Sequence, residues 1–280
     1  DTLLAAKTIY VGINDWNLSK IKFRLKNIDI EDATIQLSRN EKGVFNYQFL
    51  KDYFGSKKKK KKKAVHLYVD RVSLSNTSFK YDDNRKERRT QGVDYFHIDA
   101  SQINLLVENF KMDGMVFTGD VAKMNCLEKS GFQLDELVTS SLISSDGIFL
   151  SNLKIKSPGS SIESKKFNML TTGYIDVLTF VDSVRFDAKI DKSTVSLKEA
   201  ALFAYILDGM EDTVQLTTNI TKFSKNLRLT DFDLKIGKKS QVKGTLNVPD
   251  YRSVTSSFIH EKLDYVYIDV NELKNLKMPK

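Results

Sequence analysis

The stretch FRLKNIDIEDATIQL (residues 23–37) decides the fold, because it recurs 44 residues later as LYVDRVSLSNTSFKY (residues 67–81). Seven positions correspond, and only the pair of Ala33 with Thr77 is not apolar in both copies. The spacing between them is two, three, two, three, two and two residues. Steps of two are the alternation of a β-strand, and a step of three keeps the same face if a β-bulge adds one residue. The pattern predicts strands with one apolar face.

A second, weaker repeat has an offset of 79 residues. Ile148, Leu150, Leu153 and Ile155 correspond in it to Leu227, Leu229, Phe232 and Leu234. Both copies have the spacing two, three, two, and both continue into a turn that contains glycine and serine. Repeats of a few strands each predict a sheet that grows along one axis.

We therefore predict an all-β fold, an elongated and curled antiparallel sheet with an apolar groove (a β-taco) and one or two short helices. The first strand is predicted over residues 7–13. Asn14-Asp15 and Glu31-Asp32 are predicted to be turns that follow strands, because Asn and Asp favour turns.

The helix is predicted over residues 197–208, where good helix formers replace the alternation. Ser196 is its predicted N-cap, and Glu199 occupies the capping-box position. A second short helix is predicted around Leu273 and Leu276.

Three prolines and 13 glycines leave no linker that would divide the chain. We predict one continuous β-groove segment over residues 1–280. Its first unit spans residues 1–56, a polylysine loop spans 57–63, and further repeats fill 64–280.

The formal net charge of +8 comes from one segment. Lys57–Lys63 is a run of seven lysines; without it, 44 − 7 = 37 basic residues face 36 acidic ones, a net of +1. A distributed basic surface is not indicated, so we predict no nucleic-acid partner. The run itself is typical of a solvated loop. The alternative is a polybasic segment attracted to anionic lipid headgroups, where each lysine contributes about 1 kcal/mol.

Sequence motifs for chemistry are missing. There is no phosphate-binding glycine loop, HExxH or CxxC motif, and the three histidines lack metal-ligand spacing. The one cysteine, Cys126, excludes an internal disulfide. We predict that the protein is not an enzyme, with no catalytic residue, no cofactor and no metal.

The apolar strand face has to be covered, and the pattern leaves open whether protein or ligand covers it. A groove of Ile, Leu, Val and Phe suits acyl chains, because each buried methylene contributes about 0.8 kcal/mol without directional contacts. The predicted lining is the repeated apolar set: Phe23, Leu25, Ile28, Ile30, Ile35, Leu37, Leu67, Val69, Val72, Leu74, Phe79, Leu150, Leu153, Ile155, Leu229, Phe232 and Leu234. The alternatives are a sheet whose edge pairs with client strands, and a closed structural domain with a dry core.

Several segments in order resemble the AsmA-like superfamily and, within it, the TamB family (translocation and assembly module subunit) of the Bacteroidota type. They are residues 1–4, 9–14, 18–35, 43–46, the lysine-rich insert at 57–63 followed by 69–76, 130–137, 147–158, 197–210 with Val214, and 240–250. The resemblance covers most of the chain and places it in the N-terminal portion of such a protein.

The resemblance implies a periplasmic protein held at the inner membrane by an N-terminal anchor upstream of Asp1. It implies a groove that moves phospholipid between the inner and outer membranes. TamB-type proteins are also associated with outer-membrane protein assembly beside a barrel partner, which makes such a barrel protein a second expected partner.

Overall fold

The structure is a computed structural model that describes residues 2–17, 22–49, 66–171, 184–204, 207–223, 226–249 and 259–277. The lysine run predicted to be a loop lies outside the described residues. The predicted all-β class is confirmed, since the described chain consists of long strands with two short helices. The chain divides into two compact units, Asp1–Leu134 and Asp135–Lys280.

The first unit is a sheet in which strands follow chain order, β1-β2-β3-β4-β5, with the short β6 paired to β5. Its strands are β1 (Leu4–Asn17), β2 (Lys22–Arg39), β3 (His66–Asp83), β4 (His97–Asp113), β5 (Val116–Glu128) and β6 (Gln133–Leu134).

Two predicted turns are wrong. Asn14-Asp15 lies inside β1 and Glu31-Asp32 lies inside β2. Asp32 has a positive φ of 48°, the left-handed conformation that Asn and Asp tolerate best. The residue type that favours a turn here makes a bulge, and the strand continues beyond it.

The sheet of the first unit is mixed, which refines the predicted antiparallel sheet, because one pair of its strands is parallel. β2 and β3 are parallel, and their register places Phe23 opposite Leu67 and Leu37 opposite Tyr81. The 44-residue offset of the sequence repeat is therefore also the offset between paired residues of β2 and β3. A parallel pair requires a long connection, and residues 40–65 separate the end of β2 from the start of β3 in the sequence.

The second unit is an antiparallel sheet with the order β7-β8-β9-β10-β11-β12-β13-β14. Its strands are β7 (Glu136–Ser144), β8 (Gly147–Lys156), β9 (Ser161–Leu170), β10 (Arg185–Ser196), β11 (Thr213–Phe223), β12 (Asn226–Ile236), β13 (Ser240–Val248) and β14 (His260–Tyr267). The helices are α1 (Leu197–Ala201) and α2 (Val270–Asn275).

The second step of three in the 44-residue repeat and the step of three in the 79-residue repeat contain residues in the left-handed conformation. Asp32 and Asn76, which are 44 residues apart, have φ of 48° and 47°. Asn152 and Asp231, which are 79 residues apart, have φ of 53° and 51°. The predicted bulges are thus present at equivalent positions of each pair.

The bulges align with a row of buried, mostly small residues across each sheet. In the first unit the row includes Ala33, Thr77 and Ile103, and Thr77 is fully buried. In the second, Leu153 pairs with Ser164, and Ser164 with Ile190. Because bulges bend a strand and increase its twist, alignment across neighbours bends each sheet along this row.

Hydroxyl groups in the row donate to backbone carbonyl groups of the neighbouring strands. Thr139 Oγ1 donates to the Ser151 carbonyl at 3.0 Å. Ser164 Oγ donates to the Lys189 carbonyl at 2.8 Å, and Thr218 Oγ1 to the Thr230 carbonyl at 3.2 Å. A buried carbonyl without a partner costs free energy, so these hydroxyls stabilise the bend.

Helix α1 is shorter than predicted, ending at Ala201 with Leu202 as its C-cap. Ser196 is the N-cap, as predicted, and its side chain accepts from the Glu199 N–H at 3.4 Å. The Glu199 carboxylate does not complete a capping box. It leaves the helix and accepts from Ser157 Oγ at 2.5 Å and the Gly159 N–H at 2.7 Å, in the turn between β8 and β9.

Helix α2 makes the same kind of contact as α1, from a glutamate of the helix to a turn between strands, in the set β12 to β14. Glu272 accepts from the N–H groups of Lys238 and Ser240, both at 2.8 Å, in the turn between β12 and β13. Ser240 Oγ accepts from the Asp269 N–H, as Ser160 Oγ accepts from the Ser196 N–H. The 79-residue repeat is therefore a structural unit of three strands and a helix, in which a glutamate joins the helix to the first turn.

Candidate functional site: a half-exposed apolar face

The predicted lining residues lie on one face of the two sheets. In β3, Val72 and Leu74 alternate with Ser73, whose hydroxyl donates to Asp29 on the opposite face. In β12, Leu229 pairs with Leu246, while Arg228, one residue earlier, pairs with Asn247. We call the side with the predicted lining residues the apolar face and the other side the polar face.

Most of the apolar face is neither buried nor fully exposed. Of the 17 predicted lining residues, Val69 and Leu153 are buried and the other fifteen are half-buried. The buried apolar side chains of the described chain are otherwise mostly small or short, such as Ala33, Ala188 and Val214. The face therefore keeps substantial apolar surface in contact with solvent, where each Å² costs about 25 cal/mol.

The predicted lining residues of each unit keep part of their surface exposed, apart from the buried Val69 and Leu153. Within each unit, all extensive contacts between strands join hydrogen-bonded neighbours, and helix contacts are few. A closed sandwich would pack two sheets about 10 Å apart with interdigitated side chains. Side chains at the centre of such a packed core would be buried, whereas fifteen of the 17 predicted lining residues are half-buried.

Helix α2 covers the apolar face at one place. Leu276 and Ile268 lie over Leu234, Ile236 and Val242, and enclose a small pocket of about 50 Å³. The lining is almost entirely apolar except for Ser240, Gln241 and Glu272 at its edge. The glutamate that binds the neighbouring turn thus also holds the helix over the predicted lining residue Leu234.

The Glu272 carboxylate is strongly stabilised as an anion. The hydroxyl of Ser240, its N–H and the N–H groups of Lys238 and Lys239 lower the pKa of Glu272 to about 2. Burial opposes ionisation of Glu199, but the hydrogen bonds from Ser157, Ser160 and Gly159 outweigh it and lower the pKa of Glu199. Both carboxylates are therefore charged at neutral pH.

The polar face carries cross-strand charge pairs. Lys80 lies 3.5 Å from Asp99, and Asn219 Nδ2 donates to Asp231 at 3.0 Å. Gln241 Nε2 donates to Asp233 at 2.6 Å. Such exposed pairs contribute little stability, but they keep this face hydrated and distinguish it from the apolar face.

One end of the first unit is closed by a buried ionic cluster. Asp83 accepts from Arg85 Nε at 2.8 Å and lies 3.9 Å from Arg39 Nη1. The hydrogen bonds from Arg85 lower the pKa of Asp83 against the cost of its burial. Tyr81, which is buried beside it, has a hydroxyl without a hydrogen-bond partner. The cluster has the geometry of a structural ion pair that holds the loop after β3.

The described residues contain no group of three or more His, Cys, Asp or Glu that could hold a metal ion. Nor does the described chain include a helix long and apolar enough to cross a membrane. His97 is buried and contacts Asp94 at 2.8 Å, in the loop before β4.

Comparison of the chain with protein-family models, curated proteins and solved structures finds no match. The geometry described above therefore carries the functional argument.

Proposed function

We propose that the apolar face is a groove that holds phospholipid acyl chains and carries lipid without catalysis. The supporting observation is that fifteen of the 17 predicted lining residues are only half-buried in the described chain. Bound acyl chains would remove this surface from water, and each buried methylene would contribute about 0.8 kcal/mol of binding free energy. The interaction needs no directional contact, which agrees with a face of Ile, Leu, Val and Phe.

The route and compartment of transport rest on the resemblance to the TamB family. We propose transport between the inner and outer membranes across the periplasm, with the protein held at the inner membrane by an N-terminal anchor. In that setting the repeats within each unit would provide an apolar path along that unit, because they present their apolar residues on the same face.

The test is to identify lipid bound to the purified protein by native mass spectrometry and by extraction. We expect phospholipid to copurify with the wild type. The variant Leu150→Glu/Leu229→Glu places two charges on the apolar face and should lose the lipid.

The matched control is Ser151→Glu/Lys235→Glu, which places two carboxylates on the polar face and should keep the lipid. Circular dichroism and thermal melts establish that both variants are folded. A wild type without lipid, or lipid retained equally by both variants, would contradict the proposal.

A second candidate function is a scaffold for outer-membrane protein assembly, favoured by the edge strand β14. All its residues are exposed, with Leu263, Tyr265, Val266 and Tyr267 between 42 and 49% accessible. A strand edge can bind an extended client strand through backbone hydrogen bonds. Photo-crosslinkers placed at Tyr265 would then capture a barrel protein, whereas the lipid groove alone predicts no protein crosslink there.

A further inference from the structure

The second unit has a polar concavity of about 740 Å³ at the ends of strands β10 to β14. Its lining includes Arg185, Arg228, His260 and Lys262, with Asn247 between them. Arg228 pairs with Asn247, and Asn247 with His260, so these three side chains form a row across three strands. Directly opposed residues of antiparallel strands share a face.

Most residues that line the concavity lie on the polar face, opposite to the proposed groove, whereas Lys222 and Glu261 belong to the other face by their register. Leu229, the residue after Arg228, is on the apolar face and pairs with Leu246. The concavity is therefore separate from the acyl-chain surface, and a ligand there would not depend on whether the groove is filled.

Two of the positive charges of this concavity, Arg185 and Arg228, are not paired with an acidic residue of the described chain. Arg185 and Arg228 make no ion pair or hydrogen bond with another described residue. Lys262 has Asp264 at 3.5 Å, and the nearby Asp187 is paired with Lys166. Glu261 also lines the concavity, but it pairs with Leu246 and so belongs to the other face.

An exposed aromatic side chain stands at the rim. Phe223 ends β11, pairs with Asn226 across the hairpin, and is 71% accessible. Phenylalanine next to cationic side chains is the combination found at surfaces that contact lipid interfaces.

We propose that this concavity binds a phosphoryl group, with Arg185 and Arg228 as its cationic ligands. The planar guanidinium groups match phosphate oxygens in a bidentate geometry, and Asn247 adds a neutral donor. The phosphoryl group has two sources, a phospholipid headgroup at a membrane surface or a free phosphate ester. The proposal goes beyond the acyl-chain groove and does not rest on it.

The test uses the full chain and a second form in which Lys57–Lys63 are replaced by serine, so that the lysine run contributes no binding. The soluble probe is sn-glycerol 3-phosphate, measured by calorimetry. The membrane probe is sedimentation with vesicles of phosphatidylglycerol and phosphatidylcholine, against vesicles of phosphatidylcholine alone.

The variant Arg185→Ser/Arg228→Ser should weaken binding at least roughly tenfold, because two charge-assisted contacts are lost. The control Lys198→Ser/Lys235→Ser removes the same charge from outside the concavity and should bind like the parent. Arg185→Lys/Arg228→Lys keeps the charge but not the bidentate geometry, and remains informative if the serine variant does not fold.

A lipid headgroup as the source predicts vesicle binding that also falls with Phe223→Ser. A free ester as the source predicts binding of the soluble probe, unaffected by Phe223→Ser, and no vesicle binding. The proposal is overturned if neither probe binds, or if the control variant loses as much affinity as the arginine variant.

Discussion

Asp231 provides a direct test of the bulge that the repeat predicts. Its φ is 51°, and left-handed backbone costs an ordinary residue about 1–2 kcal/mol, more for a β-branched one. Asp231→Val should therefore destabilise the protein relative to Asp231→Gly. Both variants lose the 3.0 Å hydrogen bond from Asn219, so their difference isolates the backbone conformation.

The magnitude follows from that difference. We expect the unfolding free energy of Asp231→Val to lie about 1–2 kcal/mol below that of Asp231→Gly. This corresponds to a melting temperature roughly 2–8 °C lower for a unit of this size. Chemical denaturation and thermal melts followed by circular dichroism would measure both quantities.

The control is Lys235, an exposed residue in the regular part of the same strand. There the order should reverse, because a strand interior favours valine over glycine. If valine and glycine are equally stable at Asp231, or if Asp231 and Lys235 show the same order, position 231 is not a left-handed bulge and the explanation of the repeat is wrong.

Three further outcomes follow from the same geometry. Thr218→Val should cost about 1–2 kcal/mol of unfolding free energy, because it leaves a buried carbonyl without its hydroxyl donor, whereas Thr217→Val should cost much less in the same denaturation assay. Because the pKa of Glu199 is lowered in the folded state, its contribution to the unfolding free energy is complete above pH 4.5 and is lost as the pH falls towards the folded-state pKa. Glu199→Gln should therefore flatten the decline of the denaturation midpoint at acidic pH. An unchanged decline would exclude Glu199 as its cause. Replacing Lys57–Lys63 with serine should leave the melting temperature within about 2 °C, and a large loss would refute the assignment of the run to a solvated loop.

The repeats predicted the strands, their apolar face and the bulges, because the spacing of apolar residues records which side chains share a face. They could not predict strand direction. Phe23 and Leu67 have the same pattern whether β2 and β3 run parallel or antiparallel, and the connecting segment decides.

Predictions from single residues also failed where one residue type is compatible with two different local structures. Asp32 has a residue type that is typical of turns, because a turn and a bulge can both require the left-handed backbone conformation that aspartate tolerates. The capping pattern at Ser196 located the start of α1, but no local signal indicated that Glu199 reaches a turn about 40 residues earlier.

The polar concavity could not have been found from the sequence. Arg185, Arg228 and Lys262 are far apart along the chain and occupy positions that read as ordinary exposed strand residues. Only the register of β10 to β14 brings them to one place.

The central claim is that the apolar face is accessible to acyl chains. Its most direct test is photo-crosslinking in cells, with a benzophenone amino acid placed at Leu74 or Leu229 on the apolar face and at Ser73 or Lys235 on the polar face. We predict phospholipid adducts, identified by mass spectrometry, from the first pair and not from the second. No adducts from Leu74 and Leu229, or equal adducts from both faces, would contradict the account.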